Sequence, residues 1–204
     1  MTAEVASRTA RVNGRWKMLL VFLICAAPMI AAYVAYYIVK PTSRNNYGTL
    51  IDPRNHPIPA MATTTLDGRP QTLDAFKGKW IMLKAGGGAC NDACRNQLFE
   101  MRQLRLMQGK EMDRIERVWL ITDSEPLDTI VIREFDGTHM LRAPQNVVNQ
   151  WLPADPGTTF EDHIYLIDPL GNLMLSFPKD ADRPEARKKM HKDIAKLLKA
   201  SAIG

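Results

Sequence analysis

The hydrophobic and polar positions divide the chain into three stretches. Met18 to Val39 (MLLVFLICAAPMIAAYVAYYIV) contains no charged residue. About 20 apolar residues at 1.5 Å rise each are enough to cross a bilayer, so this stretch predicts a transmembrane anchor. A cleaved signal peptide is the rival reading, and Ala32-Tyr33-Val34-Ala35 has suitable small residues, but an apolar core of about 7–15 residues is usual there. From Lys40 to Pro59 the chain is rich in Pro, Asn and Arg, shows neither a helical nor a strand period, and reads as a spacer.

Beyond residue 60 the two periods alternate. A short strand is expected over 62–66, then a turn at Asp67-Gly68 and a strand over 80–84 that Gly86-Gly87-Gly88 ends. From Asp92 to Met107, Leu98, Met101 and Leu104, with Leu106 and Met107 as further candidates, recur at helical spacing, and Gly109 stops the run. A β-branched strand follows over 117–122, with helices around 126–135 and 145–151. Strands over 163–168 and 173–177 flank Pro169-Leu170-Gly171-Asn172, which has hairpin composition. The last helix, about 183–200, aligns Met190, Ile194, Leu197 and Leu198 as an apolar stripe, and its lysines form the solvated face. This order predicts an α/β domain, a mixed sheet with helices on both sides, behind one membrane-spanning helix.

Charge adds an orientation. Arg8, Arg11, Arg15 and Lys17 against Glu4 give residues 1–17 a net +3 of the chain's +5. With Tyr33, Tyr36 and Tyr37 near the far end of the span, this places 1–17 in the cytoplasm and the 60–204 domain in the periplasm, the inner membrane between them. The remaining charge is too small for a nucleic-acid surface. Cys25, within the span, reads as a small apolar packing residue.

The candidate chemistry is the pair Cys90-Asn91-Asp92-Ala93-Cys94, where strand passes into helix. A helix N-terminus offers unpaired N–H groups and a positive dipole end, which stabilise a thiolate, and Cys90 should be the more ionised sulfur. If both cysteines stand at helical i and i+4 positions, their Cβ atoms lie about 5–6 Å apart, and a disulfide between them forms only under strain. Three chemistries stay open: dithiol exchange, soft-metal binding by two thiolates plus a histidine, and a structural staple, whose ring is too short to add much stability. Asp92 either tunes the thiols or accepts a helix N-terminal hydrogen bond.

A dithiol between strand and helix is the thioredoxin arrangement. Leu66-Asp67-Gly68, Phe76-Lys77-Gly78-Lys79-Trp80, Cys90 to Cys94 with Asp92 inside, and Ile164-Tyr165-Leu166-Ile167-Asp168-Pro169 with Gly171 together resemble the Sco/SenC family. These are membrane-anchored, thioredoxin-like assembly factors of cytochrome c oxidase, and the likeness covers most of residues 60–200. The resemblance implies copper bound by Cys90, Cys94 and a later histidine, for delivery to the oxidase's copper-bearing subunit or exchange with another copper chaperone. The alternative it implies is a thiol-disulfide oxidoreductase, without bound copper, in which Cys90 and Cys94 are catalytic. Asn91 and Arg95 stand where the family usually has proline, and Gly86-Gly87-Gly88 replaces its aromatic wall. The family's histidine position falls on Phe160, so His163, three residues later, is the expected third metal ligand, with Glu161 and Asp162 beside it to orient the ring. His139 is a weaker substitute expected in a surface loop, His191 is expected to face solvent, and His56 is read as a solvated loop residue.

Overall fold

The computed structural model describes residues 2–39, 46–179 and 183–201. It divides into two compact units, residues 1–45 and 46–204. In the first, α1 (Thr2–Val34) is one continuous helix that passes into a wider π-helical turn over Ala35–Val39. The basic segment expected as a tail is therefore helical with the apolar run. Gly14–Ile38 is long and apolar enough to span a membrane, and Cys25 lies exposed on the helix surface.

The second unit is built on a seven-stranded mixed sheet in the order β1-β7-β6-β3-β4-β5-β2. Its strands are β1 (Thr49–Leu50), β2 (Thr64–Thr65), β3 (Trp80–Gly86), β4 (Ile115–Ile121), β5 (His139–Arg142), β6 (Ile164–Ile167) and β7 (Leu173–Phe177). The helices are α2 (Asp92–Met107), α3 (Thr129–Glu134), α4 (Gln145–Trp151) and α5 (Pro184–Ala200). β3 runs parallel to β4 and antiparallel to β6, the antiparallel β6–β7 hairpin closing at Pro169 to Asn172.

Every residue of β3 is buried because the strand is covered on both faces. Successive side chains point to opposite faces, so Trp80 and Met82 pack with α2, α3 and α5 through Leu98, Met101, Val131, Met190 and Ile194. Ile81, Leu83 and Ala85 pack on the other face with Val148 and Trp151 of α4 and with Leu73 and Phe76. Of the predicted apolar stripes, Leu98, Met101, Leu104, Met190, Ile194 and Leu198 are buried and Leu197 is half-buried, whereas Leu106 and Met107 are exposed.

Two expectations fail in the outer part of the sheet. Residues 46–59 do not behave as spacer: Thr49 pairs with Ser176, Pro57 bridges Asn172, and Ile58 N–H donates to Gly171 O at 2.8 Å. Tyr47 N–H donates to Asp193 Oδ2 at 2.6 Å, tying this entry segment to α5. Residues 40–45, the remainder of the expected spacer, lie outside the described residues. His139 is not in a loop but opens β5, paired with Val118, and its Nε2 lies 3.2 Å from Glu116 Oε2. Strands of two and four residues carry too little period to read, and both β1 and β5 exist because a longer neighbour offers free backbone groups. His191 is half-buried, with Nδ1 3.0 Å from Gln108 Nε2, and His56 is half-buried, with Nδ1 3.2 Å from Asp52 O, so neither is simply solvated.

Candidate functional site

β3 delivers the chain to the sheet's carboxyl end, where Gly86-Gly87-Gly88 turns it toward α2. The triplet is required by its neighbour: a Cβ on Gly87 would lie 2.6 Å from Asp123 Oδ2, and one on Gly88 2.9 Å from Glu125 O. Asp123 follows β4 and accepts from Gly88 N–H at 2.9 Å, while Arg142 of β5 donates to Asp123 O at 2.7 Å and Glu125 O at 2.9 Å. A chain of side-chain and backbone bonds thus fixes the loop that carries the first cysteine.

Asn91, not Asp92, caps the helix. Its Oδ1 accepts from Cys94 N–H at 3.0 Å, satisfying one of the first-turn donors. Cys90 therefore precedes the helix and Cys94 sits in its first turn, so the helical i,i+4 separation assumed from the sequence does not apply. The two form a disulfide with Cα atoms 5.1 Å apart, within the ordinary range of about 4.4–6.8 Å. Both cysteines are buried, at 7% and 8% exposure. Arg95, next along the helix, pairs with Asp128 and Glu134 at 3.6 and 3.7 Å and so ties α2 to α3.

The disulfide borders a cavity of about 220 Å³ whose walls include Lys84, Gly86, Asn91, Gln97, Glu161 and Asp162. Lys84 was legible in sequence only as the charged end of an apolar strand. In the fold it is 2% exposed. Its Nζ donates to Gln97 Oε1, one helical turn below Cys94, and to Glu161 O at 3.3 Å. Burial pushes its pKa down to about 8 against the opposing pull of Glu161 and Asp162. Neither Asp123 nor Gln97 is distinguished by the sequence; a glycine triplet that must be packed against something was the one available signal for Asp123.

His163 occupies a different environment. It is 1% exposed, follows the short turn Phe160–Asp162, and does not line the cavity. Nδ1 lies 2.9 Å from Phe177 O, and since a carbonyl can only accept, Nδ1 carries the hydrogen. Nε2 accepts from Asp155 N–H at 3.4 Å and lies 2.7 Å from Thr158 Oγ1. Both ring nitrogens are therefore engaged. Asp162 bonds Thr159 and Lys179 rather than the histidine ring, and Phe160 is packed in the core beneath α4. Among the described residues, no three His, Cys, Asp or Glu side chains are gathered as a metal-binding group.

A mixed sheet sandwiched by helices, with a disulfide where the central strand enters a helix, defines a thioredoxin-like domain. The chain belongs to the family described as transmembrane-like and thioredoxin-like: the model of its C-terminal domain matches residues 80–201, and that of its N-terminal domain residues 7–39. Among solved structures it is similar to a SCO1/SenC family lipoprotein of Bacillus anthracis, with a TM-score of 0.54 and 18% identity over 74% of this chain and 98% of that one. It is likewise similar to yeast Sco1 with copper bound, with a TM-score of 0.55 and 15% identity over 70% of this chain and 93% of that one. At these identities the likeness establishes the fold, which is the one the Sco-like motifs predicted. A curated protein of Stutzerimonas stutzeri named "Putative copper-binding protein" is 28% identical over 115 residues, covering 56% of this chain and 53% of its own length. The chain thus spans about half of that relative.

Proposed function

We propose that this is a membrane-anchored, Sco-like accessory protein that assists cytochrome c oxidase assembly by thiol-disulfide exchange at Cys90 and Cys94. Its partner in this reading is a copper-bearing oxidase subunit or a copper chaperone whose cysteines must be reduced before they receive metal. One observation carries the choice of chemistry: the two sulfurs are joined beside a cavity, and the histidine that would complete a metal site is held elsewhere by bonds to both ring nitrogens. In the reduced state one thiolate attacks the partner's disulfide to form a mixed disulfide. The second thiol, as thiolate, displaces the partner's sulfur, so two electrons pass to the partner and the Cys90–Cys94 bond re-forms. A dithiol reductant then restores the pair. The apolar helix 14–38 serves as the anchor in this reading, and the basic residues ahead of Met18 favour a periplasmic position for the domain.

A second reading has support of its own. The curated relative is named for copper, and two thiolates are a fit donor pair for Cu(I) once the disulfide is opened. The full chain in detergent, titrated with Cu(I) before and after reduction and then mixed with a peptide disulfide, separates the readings. Disulfide exchange with no stoichiometric copper uptake supports the first; one copper per reduced chain, with no exchange, overturns it.

A further inference from the structure

Lys84 is placed where an apolar residue would normally fill the sheet's face. It continues the alternate series of Trp80 and Met82 toward α2, yet its amine is turned toward the loop: a Cβ on Gly86 would lie 3.6 Å from Nζ. Among the described residues two neutral oxygens hold it, that of Gln97 on the cysteine-bearing helix and the Glu161 carbonyl. Residues three apart on a helix share a face, so the amine is anchored one turn beneath Cys94 in the wall of the disulfide's own cavity. The ordinary function of such a residue is served better by leucine or methionine, because burying an ammonium without a bonded counter-ion is costly. The carboxylates of Glu161 and Asp162 lie close enough to favour its charged form, but the bond from Glu161 comes from its backbone carbonyl and not from its charge.

We propose that Lys84 is a positioning residue for the dithiol: its charge stabilises the thiolate released when the Cys90–Cys94 bond opens and so favours the reduced pair. The inference rests on the exchange reading above. In the step concerned, an incoming thiolate forms a bond to one sulfur of the disulfide and the other leaves with the electron pair as a thiolate. A second incoming thiolate releases the remaining sulfur. With glutathione the balance is one disulfide plus two glutathione thiols giving one dithiol plus glutathione disulfide. A cation in the wall of the cavity that both sulfurs border lowers the energy of the thiolate product, since opposite charges interact more strongly where water is excluded.

The test equilibrates the full chain in detergent with glutathione redox buffers at pH 7 and reads the oxidised fraction by maleimide gel shift. Lys84→Met is expected to move the equilibrium toward the disulfide at least ten-fold, about 30 mV for a two-electron couple. Gln97→Glu, which keeps the side-chain shape and sets a carboxylate on the same amine, is expected to move it at least three-fold in the same direction; it decides the matter if Lys84→Met does not fold. Both variants within two-fold of the wild type overturn the inference and leave the exchange reading standing. A wild-type pair that never exchanges with glutathione removes both.

Discussion

Two places near one end of the sheet, the Cys90–Cys94 loop and the His163 socket, are built in opposite ways. At the first, the backbone is fixed by Asp123, Asn91 and Arg142, while the sulfurs border open volume. At the second, the side chain itself is fixed: each imidazole nitrogen has a partner and the ring is buried. A fixed backbone with a reactive group facing a cavity is how a site is preorganised. A side chain with every polar atom satisfied inside the core is how a fold is stabilised, since an unmet buried group costs about 1–3 kcal/mol.

Mutations can break this contrast, and the largest effect should come from the cysteines. Cys94→Ser is expected to abolish turnover of a peptide disulfide completely and to leave Cys90 in a trapped mixed disulfide, visible on a non-reducing gel. His163→Ala is expected to lower stability by about 2–4 kcal/mol in urea unfolding, from lost hydrogen bonds and a small cavity, with exchange activity unchanged in the folded protein. Unchanged stability together with lost copper uptake would reverse the contrast. Asp123→Ala, which orphans Gly88 N–H, should cost about 1–3 kcal/mol and speed reduction of the disulfide by freeing its loop.

The smallest effect at neutral pH concerns Lys84. Its folded pKa, about 8, lies below the unfolded 10.5. Between those values the unfolded chain holds a proton the folded chain has lost, so stability should rise with pH across that window. Denaturation midpoints at pH 8 and 10 check the sign, and Lys84→Met should flatten the rise.

Much of the sheet was legible because long elements carry their own signals. The helices 92–107 and 145–151 and the strand 173–177 lie where periodicity and flanking turn residues place them. β1 and β5 were not legible: each is short, and each exists through pairing with Ser176 and Leu175 or with β4. The site divides the same way. A Cys-x3-Cys sequence after a strand announces a dithiol, but spacing could not show that Cys90 lies ahead of the helix, because the cap falls to Asn91.

The sequence by itself determined a membrane-length apolar helix, a thioredoxin-like domain and two neighbouring thiols, because hydrophobic period and local spacing are properties of a contiguous chain. Only the tertiary structure decided what surrounds those thiols. Lys84, Gln97 and Glu161 are brought to the disulfide from three separate segments, and His163 is committed to Phe177, Asp155 and Thr158. Those contacts join residues distant along the chain, and a side chain's partners are set by which elements pack together, a property no single segment encodes.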